Sequence, residues 1–139
     1  MEKSRNSLML RWSVLPLLWF LLPGFTVANN LHTLSCSPDM YFKGDRDLKA
    51  GITAVLQNLV QNTAASNPLP TKFQYPADDP HVYGAAFCRW PDEPEACGQC
   101  LRMARKIVLH GCYHRAGAEF HNKLCYLRFE FYNFMDVTI

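Results

Sequence analysis

Six cysteines, five histidines and a sparse set of carboxylates are the side chains through which this 139-residue chain could do chemistry. The densest run is Cys88-x8-Cys97-x2-Cys100, followed by His110-x3-His114. Two cysteines and two histidines are the ligand types of a tetrahedral zinc site. Here, however, the interval between the pairs carries the apolar spacing of one continuous helix. A second constellation, Glu119 with Glu130, is the carboxylate pair that a glycosidase needs, but a domain this small shows no substrate cleft to hold a sugar between them. Nucleophile elbows and glycine-rich phosphate loops are absent from the sequence. The remaining histidines, His32, His81 and His121, lack ligand spacing. All five histidines read as surface or capping residues, and Trp90 and the tyrosines read as core.

Which chemistry the cysteines do depends on compartment. Lys3, Arg5 and Arg11 precede an uncharged run from Trp12 to Phe25, then Pro23-Gly24 and the small residues of Thr26-Val27-Ala28. This is the pattern of a secretory leader cleaved near Ala28, so 1–28 is expected to be a signal peptide and 29–139 the mature domain. The apolar run falls short of the roughly 18 residues of a spanning helix, and no second one follows, so no membrane anchor is expected. In an oxidising compartment, six cysteines in a short chain read as three disulfides with no cofactor or metal. Of 14 Lys and Arg and 12 Asp and Glu, three bases and one acid fall in the leader. The rest is charge-neutral without a basic cluster, which argues against nucleic acid as a partner.

The elements that must position these residues follow from periodicity. Asp45 is a candidate N-cap for a helix whose face is Leu48, Ile52, Val55, Leu56 and Leu59, fading at Asn62-Thr63. A second helix is expected from the capping box Asp92-x-x-Glu95, with Pro94 in its first turn, an inward stripe of Cys97, Cys100, Leu101, Ala104, Ile107 and Val108, and Gly111 as the C′ residue. Strands are expected at 31–37, 72–75, 82–89, 117–121 and 124–132, the last two as a hairpin about Asn122-Lys123. In the last strand Cys125, Leu127, Phe129 and Phe131 form the core face, while Tyr126, Arg128, Glu130 and Tyr132 point the other way, with Glu130 read as solvated. The fold class is α+β: a mostly antiparallel five-stranded sheet with two helices packed on one face.

Geometry restricts the disulfides. Cys97 and Cys100, three apart on a helix, have Cβ atoms about 5–6 Å apart, too far for one bridge. A Cys88–Cys97 bond would close the loop before the helix, and Cys100 could meet Cys125 on the sheet's inner face, leaving Cys36 and Cys112.

Val82-Tyr83-Gly84-x3-Cys88-x8-Cys97-x2-Cys100-Leu101, with the closing Cys125-Tyr126-Leu127-Arg128-Phe129, resembles the plant ginkbilobin-like cysteine-rich domain, also called the salt-stress-response/antifungal domain. The resemblance spans about Leu31 to Phe134, and a single copy is similar to the cysteine-rich repeat secretory proteins. It implies the pairs Cys36–Cys112, Cys88–Cys97 and Cys100–Cys125. It also implies a secreted, non-enzymatic, defence-related protein of the apoplast. Family lectins bind mannose through an Asn, an Arg and a Glu, and these positions correspond here to Ser37, Glu119 and Glu130. Only Glu130 matches, and Glu119 replaces a five-donor guanidinium with an acceptor-only carboxylate. Two expectations follow from the resemblance: an antifungal carbohydrate-binding protein with a degenerate mannose site acting on cell-wall or microbial glycan, or a sugar-silent module that binds a receptor ectodomain or another extracellular protein.

Overall fold

The computed structural model describes residues 31–66 and 69–136, so the expected leader lies outside the described residues. In chain order the elements are β1 (Thr33–Cys36), α1 (Arg46–Ser66), β2 (Thr71–Tyr75), β3 (Val82–Cys88), α2 (Pro94–Gly111), β4 (Gly117–His121) and β5 (Cys125–Glu130). The strands form one antiparallel sheet in the order β1-β4-β5-β3-β2. Both helices pack on one face of it, α1 over β2 and β3, α2 over β5, β4 and β1.

Helix α1 starts where the sequence places its cap. The Asp45 carboxylate accepts hydrogen bonds from the backbone N–H groups of Asp47 and Leu48 at 3.1 and 3.0 Å, satisfying donors that have no partner within the helix. The helix does not fade at Thr63 but runs on to Ser66. Thr63, one turn beyond Leu59, is fully buried and extends the inner stripe with a polar residue that a hydrophobic pattern passes over.

Two features of α2 differ from expectation. Its N-cap is Glu93, without a side-chain cap hydrogen bond, so the Asp92-to-Glu95 capping box does not form. Pro94 opens the helix with no N–H to be satisfied, and the Cys88–Cys97 bridge ties its first turn to the end of β3. Gly111 is the last helical residue rather than a left-handed C′ position. A Cβ there would lie 2.5 Å from Leu34 Cδ2. Glycine is needed because β1 passes close, and the left-handed residue is His114 instead, at φ 58°.

The core lies between helices and sheet, with Val55, Leu56 and Leu59 of α1 and Leu101 and Ala104 of α2 against Phe120, Leu127 and Phe129. Three disulfides join Cys36 to Cys112, Cys88 to Cys97 and Cys100 to Cys125. Gly84 is where α1 sits tightest on the sheet, since a Cβ would lie 2.3 Å from Val55 Cγ1 and 2.8 Å from Leu59 Cδ1.

Candidate functional site

The sheet face turned away from the helices carries all three family-position residues, and the strand register sets their arrangement. Gly117 of β4 pairs with Glu130 of β5, which pairs with Tyr83 of β3, itself opposite Gln74 of β2. Ser37 extends this row past β1, its N–H donating to the Gly117 carbonyl at 2.9 Å. In the next row Ser35, Glu119, Arg128, Ala85 and Lys72 follow one another across the sheet. Glu119 and Glu130 therefore flank Arg128, one across the strand pair and one along the strand, and Ser37 stands at the far end of the Glu130 row.

Arg128 is the residue that the sequence reading understated. Its Nε donates to Glu130 Oε1 at 3.0 Å, an Nη lies 3.8 Å from Glu119 Oε2, and the other Nη donates to the Tyr132 hydroxyl at 2.9 Å. The guanidinium also lies over the Phe134 ring, 4.4 Å from its centroid, a cation–π contact. Tyr126 donates its hydroxyl proton to Glu119 Oε2 at 3.1 Å. Gly117 makes room for the arrangement, because a Cβ at that position would fall 1.8 Å from Glu130 Oε2. Ser37 has a local role, its hydroxyl accepting from the Asp39 N–H at 3.3 Å.

This face is not the solvated surface that alternation along β5 suggests. Tyr126 and Glu130 are 8 % and 9 % exposed. Tyr126 stacks on Phe87 with centroids 4.9 Å apart. The chain after β5 returns over the sheet, burying Phe134, and the Met135 carbonyl accepts a hydrogen bond from Lys72. Trp90, Tyr75, Tyr113 and Tyr132 are exposed rather than core.

Burial sets the electrostatics. Desolvation pushes the Glu130 carboxyl above its usual pKa, Arg128 pulls it back and Glu119 adds to the rise. Desolvation, with Glu119 beside it, pushes the Tyr126 phenol up to about 12. Burial works against the Arg128 cation, but Glu130 and Tyr126 outweigh it and raise its pKa. The outcome is a cation committed to two carboxylates and a tyrosine, with few donors left to offer a sugar hydroxyl.

Cys97 and Cys100, the thiol half of the zinc-like spacing, are in separate disulfides. His114, its last member, is 7 % exposed, against the expectation of a surface or capping histidine. Neither of its ring nitrogens has a hydrogen-bond partner among the described residues. No spacing marks this, because its burial depends on Tyr41 and the Cys36–Cys112 bridge, which reach it from the distant loop after β1.

A sequence model of the family described as salt stress response/antifungal matches residues 35–132. Among solved structures, the tandem DUF26 ectodomain of the Arabidopsis thaliana cysteine-rich receptor-like protein PDLP5 superposes with a TM-score of 0.67 at 24 % identity, over 76 % of this chain and 51 % of its own. That of the Arabidopsis thaliana cysteine-rich receptor-like protein PDLP8 gives a TM-score of 0.63 at 22 % identity, over 73 % of this chain and 48 % of its own. The chain thus spans about half the length of each tandem ectodomain. No curated protein matches the sequence.

Proposed function

The chain belongs to the salt stress response/antifungal family, and on that premise we propose that it is a secreted, non-enzymatic, defence-related module whose partner is another extracellular protein rather than mannose. The observation that carries this reading is Arg128 held between Glu119 and Glu130. A hydroxyl-rich ligand needs donors and acceptors together. At the family's mannose positions this chain offers a Ser engaged with its own loop and two carboxylates whose nearby donors, Tyr126 and Arg128, are already bonded to them. A site lacking the donors its ligand needs rejects that ligand strongly.

Support for a protein partner comes from the loops after β1 and α2. Met40 and Arg115 form an antiparallel bridge, and Met40, Phe42 and Tyr113 on these paired segments are 63 %, 81 % and 66 % exposed. Exposed apolar and aromatic side chains on paired segments, with Arg115 beside them, have the composition of a protein interface. An extracellular setting is supported by the leader pattern of 1–28 and the disulfides. Among the described residues no helix is long and apolar enough to cross a membrane.

Calorimetry of the oxidised protein with mannose, beside a glycan array, tests the reading. No saturable heat and no glycan signal are expected, while extracellular proteins retained by the immobilised domain should be lost on Phe42→Ser/Tyr113→Ser. Mannose binding that Glu130→Gln abolishes would restore the lectin function and overturn the proposal.

A further inference from the structure

Behind the paired loops lies a cavity of about 280 Å³ that is separate from the sheet face and borders the exposed patch at Tyr113 and Arg115. Ile52 of α1, Val108 of α2 and Phe129 of β5 form its apolar floor. Its charged and titratable lining comes from every side: Lys49 from α1, His110 from α2, Tyr41 from the loop after β1, and Tyr113, His114 and Arg115 from the loop after α2. Among the described residues no Asp or Glu lines it.

His114 is the anomaly. It is more than nine-tenths buried, with both ring nitrogens unpartnered among the described residues, in a protein interior where buried polar atoms normally find a partner. It is not left so by disorder of its surroundings. Its carbonyl accepts from the Tyr41 N–H at 3.0 Å, Tyr113 lies edge-on at 3.8 Å between centroids, and the Cys36–Cys112 bridge anchors the loop. The backbone also holds a left-handed conformation that costs a non-glycine residue free energy. An imidazole held in place without partners, among cations without a carboxylate and above an apolar floor, is complementary to an anion with an apolar body.

We propose that this cavity binds a small carboxylate with a ring-sized apolar body, the carboxylate received by His114, Lys49 and Arg115 and the ring by Ile52, Val108 and Phe129. The volume lies just below the usual ligand-pocket range, which starts at about 300 Å³, and leaves room for a single ring with its carboxylate. Arg115 donates one hydrogen bond to the Pro38 carbonyl at 3.1 Å and keeps further N–H groups to offer. Burial first, and then Lys43 and Lys49, lower the imidazole's proton affinity in the free protein. An arriving carboxylate reverses that balance, so binding near neutral pH takes up a proton.

Benzoate is the probe, titrated into the oxidised full chain and followed by calorimetry and by the histidine ring signals in NMR. One saturable site is expected, with the His114 signals shifting and heats that differ between buffers of unequal ionisation enthalpy because a proton is taken up. Benzyl alcohol, which keeps the ring, and acetate, which keeps the charge, should each bind at least about tenfold more weakly. His114→Asn, a residue that tolerates the left-handed backbone, should abolish the proton uptake. Lys49→Gln, on an exposed helix position, should weaken benzoate several-fold even if the His114 variant does not fold. Absence of saturable benzoate binding, equal binding of benzyl alcohol or acetate, or unchanged binding by Lys49→Gln would each overturn the proposal.

Discussion

At the scale of single residues, the outer sheet face is governed by one arginine. A surface ion pair is normally worth about 0–1 kcal/mol, but Glu130 is largely desolvated, and its carboxyl pKa is raised in spite of Arg128. The folded pKa therefore lies above the unfolded value of about 4.3. The folded state holds the proton more tightly, so this group's stabilising contribution is fully present below the unfolded pKa and is lost as pH rises through the folded one. Glu130→Gln keeps the shape and an acceptor for Arg128 without the buried charge. Its melting temperature should equal or slightly exceed that of the natural protein at pH 7, and the difference should vanish by about pH 4, near the unfolded carboxyl value, in paired thermal scans. Tyr126 gives a second readout of the same cluster. Ultraviolet titration should show the Tyr126 phenol resisting ionisation until about pH 12. In Glu119→Gln it should ionise earlier but still above the ordinary range, because burial is the larger cause.

At the scale of elements, close approach and crosslinks decide the packing. Gly84 lets α1 lie against β3, and the first atom of any side chain there collides with Val55 and Leu59. Overpacking of this kind costs about 1–3 kcal/mol. Gly84→Ala should lower the unfolding midpoint accordingly, and an unchanged midpoint would mean that the helix is free to lift. The disulfides differ in the loops they close: the sequence separations are 76 for Cys36–Cys112, 25 for Cys100–Cys125 and 9 for Cys88–Cys97. In the chain-entropy account the longest loop exceeds the shortest by about 2 kcal/mol. Cys36→Ser/Cys112→Ser should therefore melt at lower temperature than Cys88→Ser/Cys97→Ser. The reverse order would show that tying α2 to the end of β3 matters more than loop length.

At the scale of the whole molecule, a small α+β domain with a modest core leans on covalent staples. Removing a native disulfide from such a domain typically costs about 2–5 kcal/mol, a large part of the usual margin of about 5–15 kcal/mol. The reading of this chain as secreted has a direct mass signature. Protein collected from the medium should begin near Asn29, lack titratable thiols in the native state, and weigh six hydrogens less than its reduced form. Retention of 1–28 on the extracellular product, or thiols that titrate without denaturant, would contradict both the processing and the compartment. The covered sheet face and the cavity behind the β1 and α2 loops are separate. Whether mannose binds at the sheet face therefore carries no consequence for the proposed carboxylate site, and each proposal can fail alone.

The sequence by itself determined the order of elements, both helix faces and the inward set of the last strand, because these rest on local periodicities that each segment carries whatever it packs against. The cap at Asp45 was equally legible, since its hydrogen bonds reach only to Asp47 and Leu48. Contacts between segments far apart in the chain were not. That Gly111 is small for the sake of Leu34 and Gly117 for the sake of Glu130 are facts of neighbouring strands and helices. The expected capping box gave way to a proline-led turn pinned by a disulfide. Alternation placed Glu119, Arg128 and Glu130 on one face, but only the returning residues after β5, which set Tyr132 and Phe134 against the guanidinium, turned that face from a solvated surface into a partly covered ion cluster. His114 shows the same limit. Its burial is produced by Tyr41, Tyr113 and the Cys36–Cys112 bridge meeting in space, and no spacing within its own segment encodes the meeting of chains that are distant in sequence.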